Sequence, residues 1–246
     1  MKRVFVIVIL LTAGAVAAFL AWERHHTVPV LILTYHKIED IPGNTWCVSP
    51  ADFDTQMKAL RDRGYRTILP SDLVARRSWG KPLPRRPLII TFDDGYRNVL
   101  TEAEPILKKH GFRGIAYLIT GMIAEDAAQR KTFNGCECLV WPEVIEMKQR
   151  GTMTFGGHTH DHANLPALTD PYPDIHVNYQ ELRKHLGIPP DSFCDPYGGI
   201  NETVQACVQS VGFTTAMACE DRVALIGPGA NLLALPRVAV VSNWMP

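Results

Sequence analysis

Thr91-Phe92-Asp93-Asp94-Gly95-Tyr96, which follows the apolar run Leu88-Ile89-Ile90, decides how the rest of the chain is read. Pro87 precedes the run and a glycine turn ends it, so it reads as a buried strand carrying two adjacent carboxylates at its C-terminal tip. Neighbouring extended residues point to opposite sides. Asp93 and Asp94 therefore face different surroundings and can do different work, one as a metal ligand and one as a proton acceptor. Alone, an Asp-Gly pair is an ordinary tight turn. A second stretch, Gly156-Gly157-His158-Thr159-His160-Asp161-His162, supplies the imidazoles that a carboxylate-bound metal requires. On a helical turn, the spacing of His158 and His162 sets both rings on one side, with His160 facing outward. Asp94 then completes a three-ligand set with a position open for water.

Outward from these stretches, the chain begins with a segment that does not belong to the fold. Val4 to Trp22 carries no charged residue and follows Lys2 and Arg3, the pattern of a membrane-inserting segment. It is longer than the roughly 7–15 apolar residues of a cleaved signal peptide, which favours an uncleaved single-pass anchor. Ala15-Val16-Ala17 also fits a cleavage site, after which the protein would be secreted. The basic N-terminal flank places the amino terminus in the cytoplasm and the remainder outside it, at the cell envelope. Residues 1–26 are thus expected to be an anchor or signal segment, and residues 27–246 one domain with a full core. The 25 basic and 25 acidic residues cancel, which argues against nucleic acid as a partner and fits a neutral substrate. Six cysteines would face an oxidising compartment, where pairing is plausible. Cys136 and Cys138 lack zinc-ribbon spacing, and all six read as structural or free thiols.

Helical and extended patterns alternate along the domain. Strands are expected at Val30 to Thr34, Thr67 to Leu69, the Leu88 run, Ile115 to Ile119, Met153 to Phe155, Ser192 to Asp195, Thr214 to Ala218 and Val238 to Val241. Between them, Ser49 caps a helix with Pro50 in its first turn, and Ser71 caps a second. Further helices run over Glu102 to His110, Trp141 to Gly151, Ile175 to Leu186 and Glu202 to Val211. Gly121 to Cys138 reads as a long loop. The alternation implies an α/β fold, a distorted (β/α) barrel of seven or eight parallel strands, with a doubly wound sheet as the alternative. His36, Asp93, Asp94, His158, His162 and the Pro196-Tyr197-Gly198 turn all fall just past C-terminal strand ends, where such folds build their sites.

The two stretches together resemble the polysaccharide deacetylases of the NodB-homology type, also classed as carbohydrate esterase family 4. Thr91 to Tyr96 is similar to their first motif, and His158-Thr159-His160-Asp161-His162 to their His-Ser/Thr-x-x-His motif. The similarity runs from about Val30 to Val241. It implies a distorted barrel, Asp93 as general base, and Asp94, His158 and His162 holding a divalent metal, usually Zn²⁺, with Thr159 bracing the loop. Phe193-Cys194-Asp195-Pro196-Tyr197-Gly198 resembles the third motif, whose tyrosine amide, here that of Tyr197, helps hold the oxyanion. Two features depart from the pattern. The arginine that orients the base in many members is replaced in this neighbourhood by Cys194 and Asp195, which leaves Arg237 as the substitute. No histidine follows His185, so the C-terminal catalytic histidine is missing. Leu33-Thr34-Tyr35-His36 is instead similar to the start of the poly-N-acetylglucosamine deacetylase subgroup, which makes His36 the proton donor.

The resemblance implies hydrolysis of the acetamide of N-acetylated sugars in an envelope or extracellular glycan, releasing acetate and leaving a free amine. Trp141 or Tyr96 could stack on a sugar ring, or pack in the core. The alternatives are a catalytically impaired glycan-binding relative, prompted by the absent arginine and by Asp195, and a metal hydrolase of phosphoesters, disfavoured by the lack of a basic clamp.

Overall fold

The structure, a computed structural model, describes residues 27–241 and 244–246. The expected membrane segment lies outside them, and no helix among the described residues is long and apolar enough to cross a membrane. In chain order the strands are β1 (Val28–Tyr35), β2 (Lys37–Ile38), β3 (Cys47–Val48), β4 (Arg66–Thr67), β5 (Pro87–Phe92), β6 (Gly114–Leu118), β7 (Thr132–Phe133), β8 (Cys136–Glu137), β9 (Met153–Gly157), β10 (Ser192–Cys194), β11 (Thr215–Met217), β12 (Ala224–Ile226) and β13 (Val238–Ala239). The helices are α1 (Pro50–Asp62), α2 (Pro70–Trp79), α3 (Glu104–His110), α4 (Trp141–Arg150), α5 (Tyr172–Leu186) and α6 (Glu202–Val211).

The main sheet runs β11-β10-β9-β6-β5-β1, every neighbouring pair parallel. The short β4 adds in parallel to the start of β5. What closes the frame is the segment 235–240. Leu235 pairs with β11 through Ala216 and Ala218, while β13 lies parallel to β1 and Val240 donates to the Thr34 carbonyl at 3.0 Å. The strands thus form an incomplete barrel of seven parallel strands, β1, β5, β6, β9, β10, β11 and β13, in line with the barrel expected from the alternation.

The two-residue period of the strands divides the core. Ile32, Ile89, Ile115, Tyr117, Cys194, Met217 and Leu235 pack together inside the barrel. Leu33, Leu88, Ile90, Phe92, Ala116 and Leu118 face outward under the helices, against residues such as Phe53, Leu107 and Val144. The same alternation carried one step further aims Thr34, Thr91, Asp93 and His158 inward at the C-terminal rim. Gly156 is on this inner face because nothing larger fits. A Cβ there would lie 2.5 Å from the Ser192 carbonyl oxygen and 2.6 Å from the ring of Tyr117, whose hydroxyl bonds the Ser192 hydroxyl at 2.7 Å across the barrel.

Several local expectations change. The second helix begins at Pro70, not at a Ser71 cap, and the Asp72 carboxylate accepts the Leu69 N–H at 2.9 Å. The preceding strand lies at Arg66–Thr67, two residues short of the expected Leu69 end. Residues 121–138 are not a featureless loop, because Asn134 and Gly135, both at positive φ, turn an antiparallel hairpin of β7 and β8. An unanticipated β12 runs antiparallel to β1. Ser49 caps α1 as expected, accepting the Asp52 N–H at 3.1 Å.

Gly156→Ala should cost about 1–3 kcal/mol, because backbone and a buried ring would have to move. Urea unfolding should show a lowered midpoint with an unchanged slope.

Candidate metal centre and acid–base site

Asp93 and Asp94 do part company, but by a different device from simple extension. Asp93 continues the inward face of β5, with its N–H donating to the Tyr35 carbonyl at 2.9 Å, whereas Asp94 sits at φ +73° and turns toward the histidines. Arg237 meets Asp93 in a two-point pair, 2.8 Å from each terminal guanidinium nitrogen to its own carboxylate oxygen. The remaining guanidinium donors are also occupied. One terminal nitrogen donates to the Thr91 hydroxyl at 3.0 Å and Nε to the Ala218 carbonyl at 3.1 Å, and the Cys194 sulfur is 3.0 Å from the other terminal nitrogen. The arginine therefore reaches Asp93 from the closing segment of the barrel. Burial pushes the Asp93 carboxyl up, and Arg237 more than reverses this, so the group is held below the usual carboxylate range. The Cys194 thiol is pushed up by burial and adds no charge beside the pair.

Asp94 Oδ1 lies 3.4 Å from His158 Nε2 and 3.4 Å from His162 Nε2. Two donors each about 2.0–2.1 Å from one tetrahedral ion stand roughly 3.3–3.4 Å apart, so the donor set fits a small divalent metal. The far side of each ligand is fixed as well. His158 donates from Nδ1 to the Cys194 carbonyl at 2.8 Å, which leaves Nε2 with its lone pair toward Asp94. His162 Nδ1 lies 3.1 Å from the Tyr197 hydroxyl. Burial raises the Asp94 carboxyl, but the neighbouring His158 and His162 imidazoles outweigh it and the group is lowered far below its ordinary value.

The two histidines are brought together by a loop and not by the expected helical turn. Thr159 and His162 both have positive φ, at +62° and +56°. The brace is the backbone of Thr159, because its hydroxyl is buried with no hydrogen-bond partner among the described residues. Instead, the Thr159 carbonyl accepts from the carboxamide of Asn178, which also donates to the Leu118 carbonyl at 2.9 Å and ties the loop to α5. His160 stays away from the metal cluster, with Nδ1 3.0 Å from the Thr120 hydroxyl. Asp94, Asn134, Thr159, His162 and Tyr197 are the non-glycine positive-φ residues among those described. Asp94, Asn134, His162 and Tyr197 line one cavity of about 650 Å³, and Thr159 adjoins it. Backbone strain is thus concentrated where the chemistry would be.

His36 lines the same cavity. Its Nδ1 has no hydrogen-bond partner among the described residues, so none of them pins the ring through that atom as a strand-end histidine would be pinned by backbone. Burial lowers the imidazole below its ordinary value while Asp93 and Asp94 pull it back up. Tyr197 is at φ +59° with its side chain at the cavity rim. Trp141 is no sugar platform. It is buried and stacked on His185 with ring centroids 4.0 Å apart. Tyr96 is also buried and packs against Phe133, ring centroids 6.2 Å apart. The aromatic missed in the sequence is Trp46, half exposed at the rim. Its signal was a tryptophan placed in the turn-rich stretch Pro42-Gly43-Asn44-Thr45, where no core demands one. Asp195 is buried with neither carboxyl oxygen partnered among the described residues, and burial pushes its pKa up to about 8 against the pull of His158 and Arg237. None of the six cysteines is in a disulfide.

Fold and site together define an α/β barrel protein with a carboxylate–imidazole donor set able to hold a metal ion, beside an arginine-held carboxylate. A family model described as polysaccharide deacetylase matches residues 80–216, more than half of the chain, and the chain belongs to that family. It is 31% identical over 153 residues to YxkH of Bacillus subtilis, described as a polysaccharide deacetylase, covering 62% of this chain and 50% of that one. The chain thus spans half the length of that relative. It is 24% identical over 205 residues to a poly-β-1,6-N-acetyl-D-glucosamine N-deacetylase of Staphylococcus aureus, covering 79% of this chain and 68% of the other. Among solved structures, the deacetylase PplD of Streptococcus pyogenes in complex with acetate superposes with TM-score 0.77 at 25% identity, over 89% of this chain and 95% of that one. IcaB of Ammonifex degensii gives 0.75 at 25% identity, over 86% and 91%.

Two stability tests follow from these charges. Arg237→Met leaves Asp93 buried without its partner and should cost about 3–5 kcal/mol near neutral pH, read by denaturant unfolding. Asp195 has a folded pKa raised above its unfolded value, so the folded state holds the extra proton between them. Stability is lost as pH rises from about 4 toward 8, the penalty being full above that. Asp195→Asn should therefore raise Tm of the metal-free protein at pH 8, with the gain shrinking to nothing near pH 4.

Proposed function

We propose that this protein hydrolyses the acetamide of N-acetylated sugar residues in an envelope or extracellular glycan, in a divalent-metal-dependent reaction that releases acetate. The observation that carries the reading is the Asp93–Arg237 pair set against the Asp94, His158 and His162 donors in one cavity. Asp94, His158 and His162 would hold the metal, Zn²⁺ fitting the mixed nitrogen and oxygen set. When bound, such an ion acts as a Lewis acid toward a carbonyl oxygen and lowers the pKa of water. Asp93 is the base. Arg237 keeps it anionic and fixes its orientation, and each carboxylate oxygen retains lone pairs to accept a proton from the attacking water. The backbone amide of Tyr197 is placed in the role of oxyanion donor. His36, with an uncommitted ring nitrogen beside both aspartates, delivers the proton to the departing amine.

The glycan assignment draws on the Staphylococcus relative, named for poly-β-1,6-N-acetylglucosamine, and on the balanced charge, which suits a neutral polymer. We place the domain outside the cytoplasm, tethered by the apolar segment of residues 4–22. A purely glycan-binding role is the competing reading, and the complete set of metal donors and base argues against it.

Acetate release should be measured on β-1,4 and β-1,6 N-acetylglucosamine oligomers with zinc present. Chelation should abolish release and added zinc restore it, and Asp93→Asn or His36→Ala should each lower kcat by about 10²–10⁴. Metal-loaded protein that releases no acetate from either series would sink the catalytic reading in favour of binding.

A further inference from the structure

Two large side chains stand open at the mouth of the cavity. Trp46 is 52% exposed and Tyr197 70% exposed, and among the exposed large apolar residues described these two line it. The hydroxyl of Tyr197 is already engaged with His162, and its ring stands edge-on to that imidazole at 4.8 Å between centroids. Trp46 differs. Among the described residues its ring contact is with His36, centroids 5.0 Å apart and planes at 63°, and about half of the side chain's surface is open to water. The turn beneath it is held, since the Asn44 side-chain oxygen accepts the Trp46 N–H at 3.0 Å and the Asn44 carbonyl accepts the Cys47 N–H at 3.2 Å. A held turn thus presents a bare indole beside the proposed proton donor.

An indole in that position serves no core. The packed clusters under the helices and inside the barrel do not include it. A pyranose whose substituents are equatorial carries a face of C–H groups, and stacking that face on an indole removes apolar surface of both from water while the hydroxyls stay wet. The reacting acetamide must reach Asp93 and Asp94, which are almost fully buried on the cavity floor. The ring bearing it therefore sits next to His36, and the following ring of a chain passes over the neighbouring Trp46.

We propose that Trp46 is a stacking platform for a second sugar ring, so that the site selects a stretch of polymer over a free monosaccharide. This rests on the deacetylase reading and adds where the chain lies. Tyr197 bounds the cavity on the His162 side.

Calorimetric titration of the EDTA-treated chain, in which no turnover occurs, with N-acetylglucosamine and with its β-1,6 tetramer gives the direct test. Trp46→Ala should weaken tetramer binding about tenfold and monomer binding less than about twofold, with Trp46→Phe recovering most of the loss. In the zinc-loaded chain, Trp46→Ala should raise KM for the tetramer about tenfold with kcat within about twofold. Equal losses at both lengths, or none, would overturn the platform. So would a fall in kcat at every length, which would mean that the indole only holds His36 in place. Unchanged thermal melts of both variants exclude misfolding as the cause. If the unaltered chain releases no acetate, the catalytic reading fails, and the calorimetry still decides the platform by the same length dependence.

Discussion

The structure turns on the buried pair between Arg237 and Asp93. Two charges removed from water are costly, and their attraction compensates only when geometry is good and every remaining donor is used. Both conditions hold, because the guanidinium also serves Thr91 and the Ala218 carbonyl. Thr91 in turn donates its hydroxyl to the Leu33 carbonyl at 2.8 Å. The pair thereby links β5, the end of β11 and the edge of β1 around one point inside the barrel. Its contribution is less to stability than to the state of Asp93, a carboxylate that stays charged in a place where burial alone would neutralise it.

Around that point the chain accepts strain for position. Asp94, His162 and Tyr197 take left-handed backbone, which residues with a Cβ occupy at a cost. Packed groups with little freedom hold them there. Asn178 from α5 grips the loop, the Cys194 carbonyl fixes the tautomer of His158, and Tyr197 lies against His162. Asp195 stands apart in this network, with both carboxyl oxygens unpartnered among the described residues and burial keeping it protonated near neutral pH.

Much of the frame was legible because strand periodicity and helix caps are local. The β1 and β5 runs, the Ser49 cap and the Glu202 to Val211 helix follow directly from residue pattern. The grouping of Asp94 with His158 and His162, beside Asp93, was legible because Asp93-Asp94 and His158-x-x-x-His162 sit at strand ends, and the nearness of Arg237 because it was the substitute for an arginine missing from the third motif. What was not legible depended on contacts distant in sequence. The hairpin at 132–137 and the pairing of β12 with β1 arise from tertiary partners, not from period. Helical spacing was the wrong template for His158 and His162 because positive φ at Thr159 cannot be read from a threonine. Trp141 and Tyr96 looked available as sugar platforms only until their burial was seen.

The segment that carries Arg237 is also the one that shuts the barrel, with Leu33 of β1 paired to Val238 of β13. Asp93 therefore acquires its partner only when a contact between distant parts of the sequence forms, the kind of step that comes late because loop-closure entropy must be met first. A partly folded domain could present Asp94 and the histidines and still lack an Asp93 held by Arg237. Under the proposed function, catalytic competence then reports on completed folding. During refolding, the proposed activity would switch on with the final docking event instead of growing in step with secondary structure.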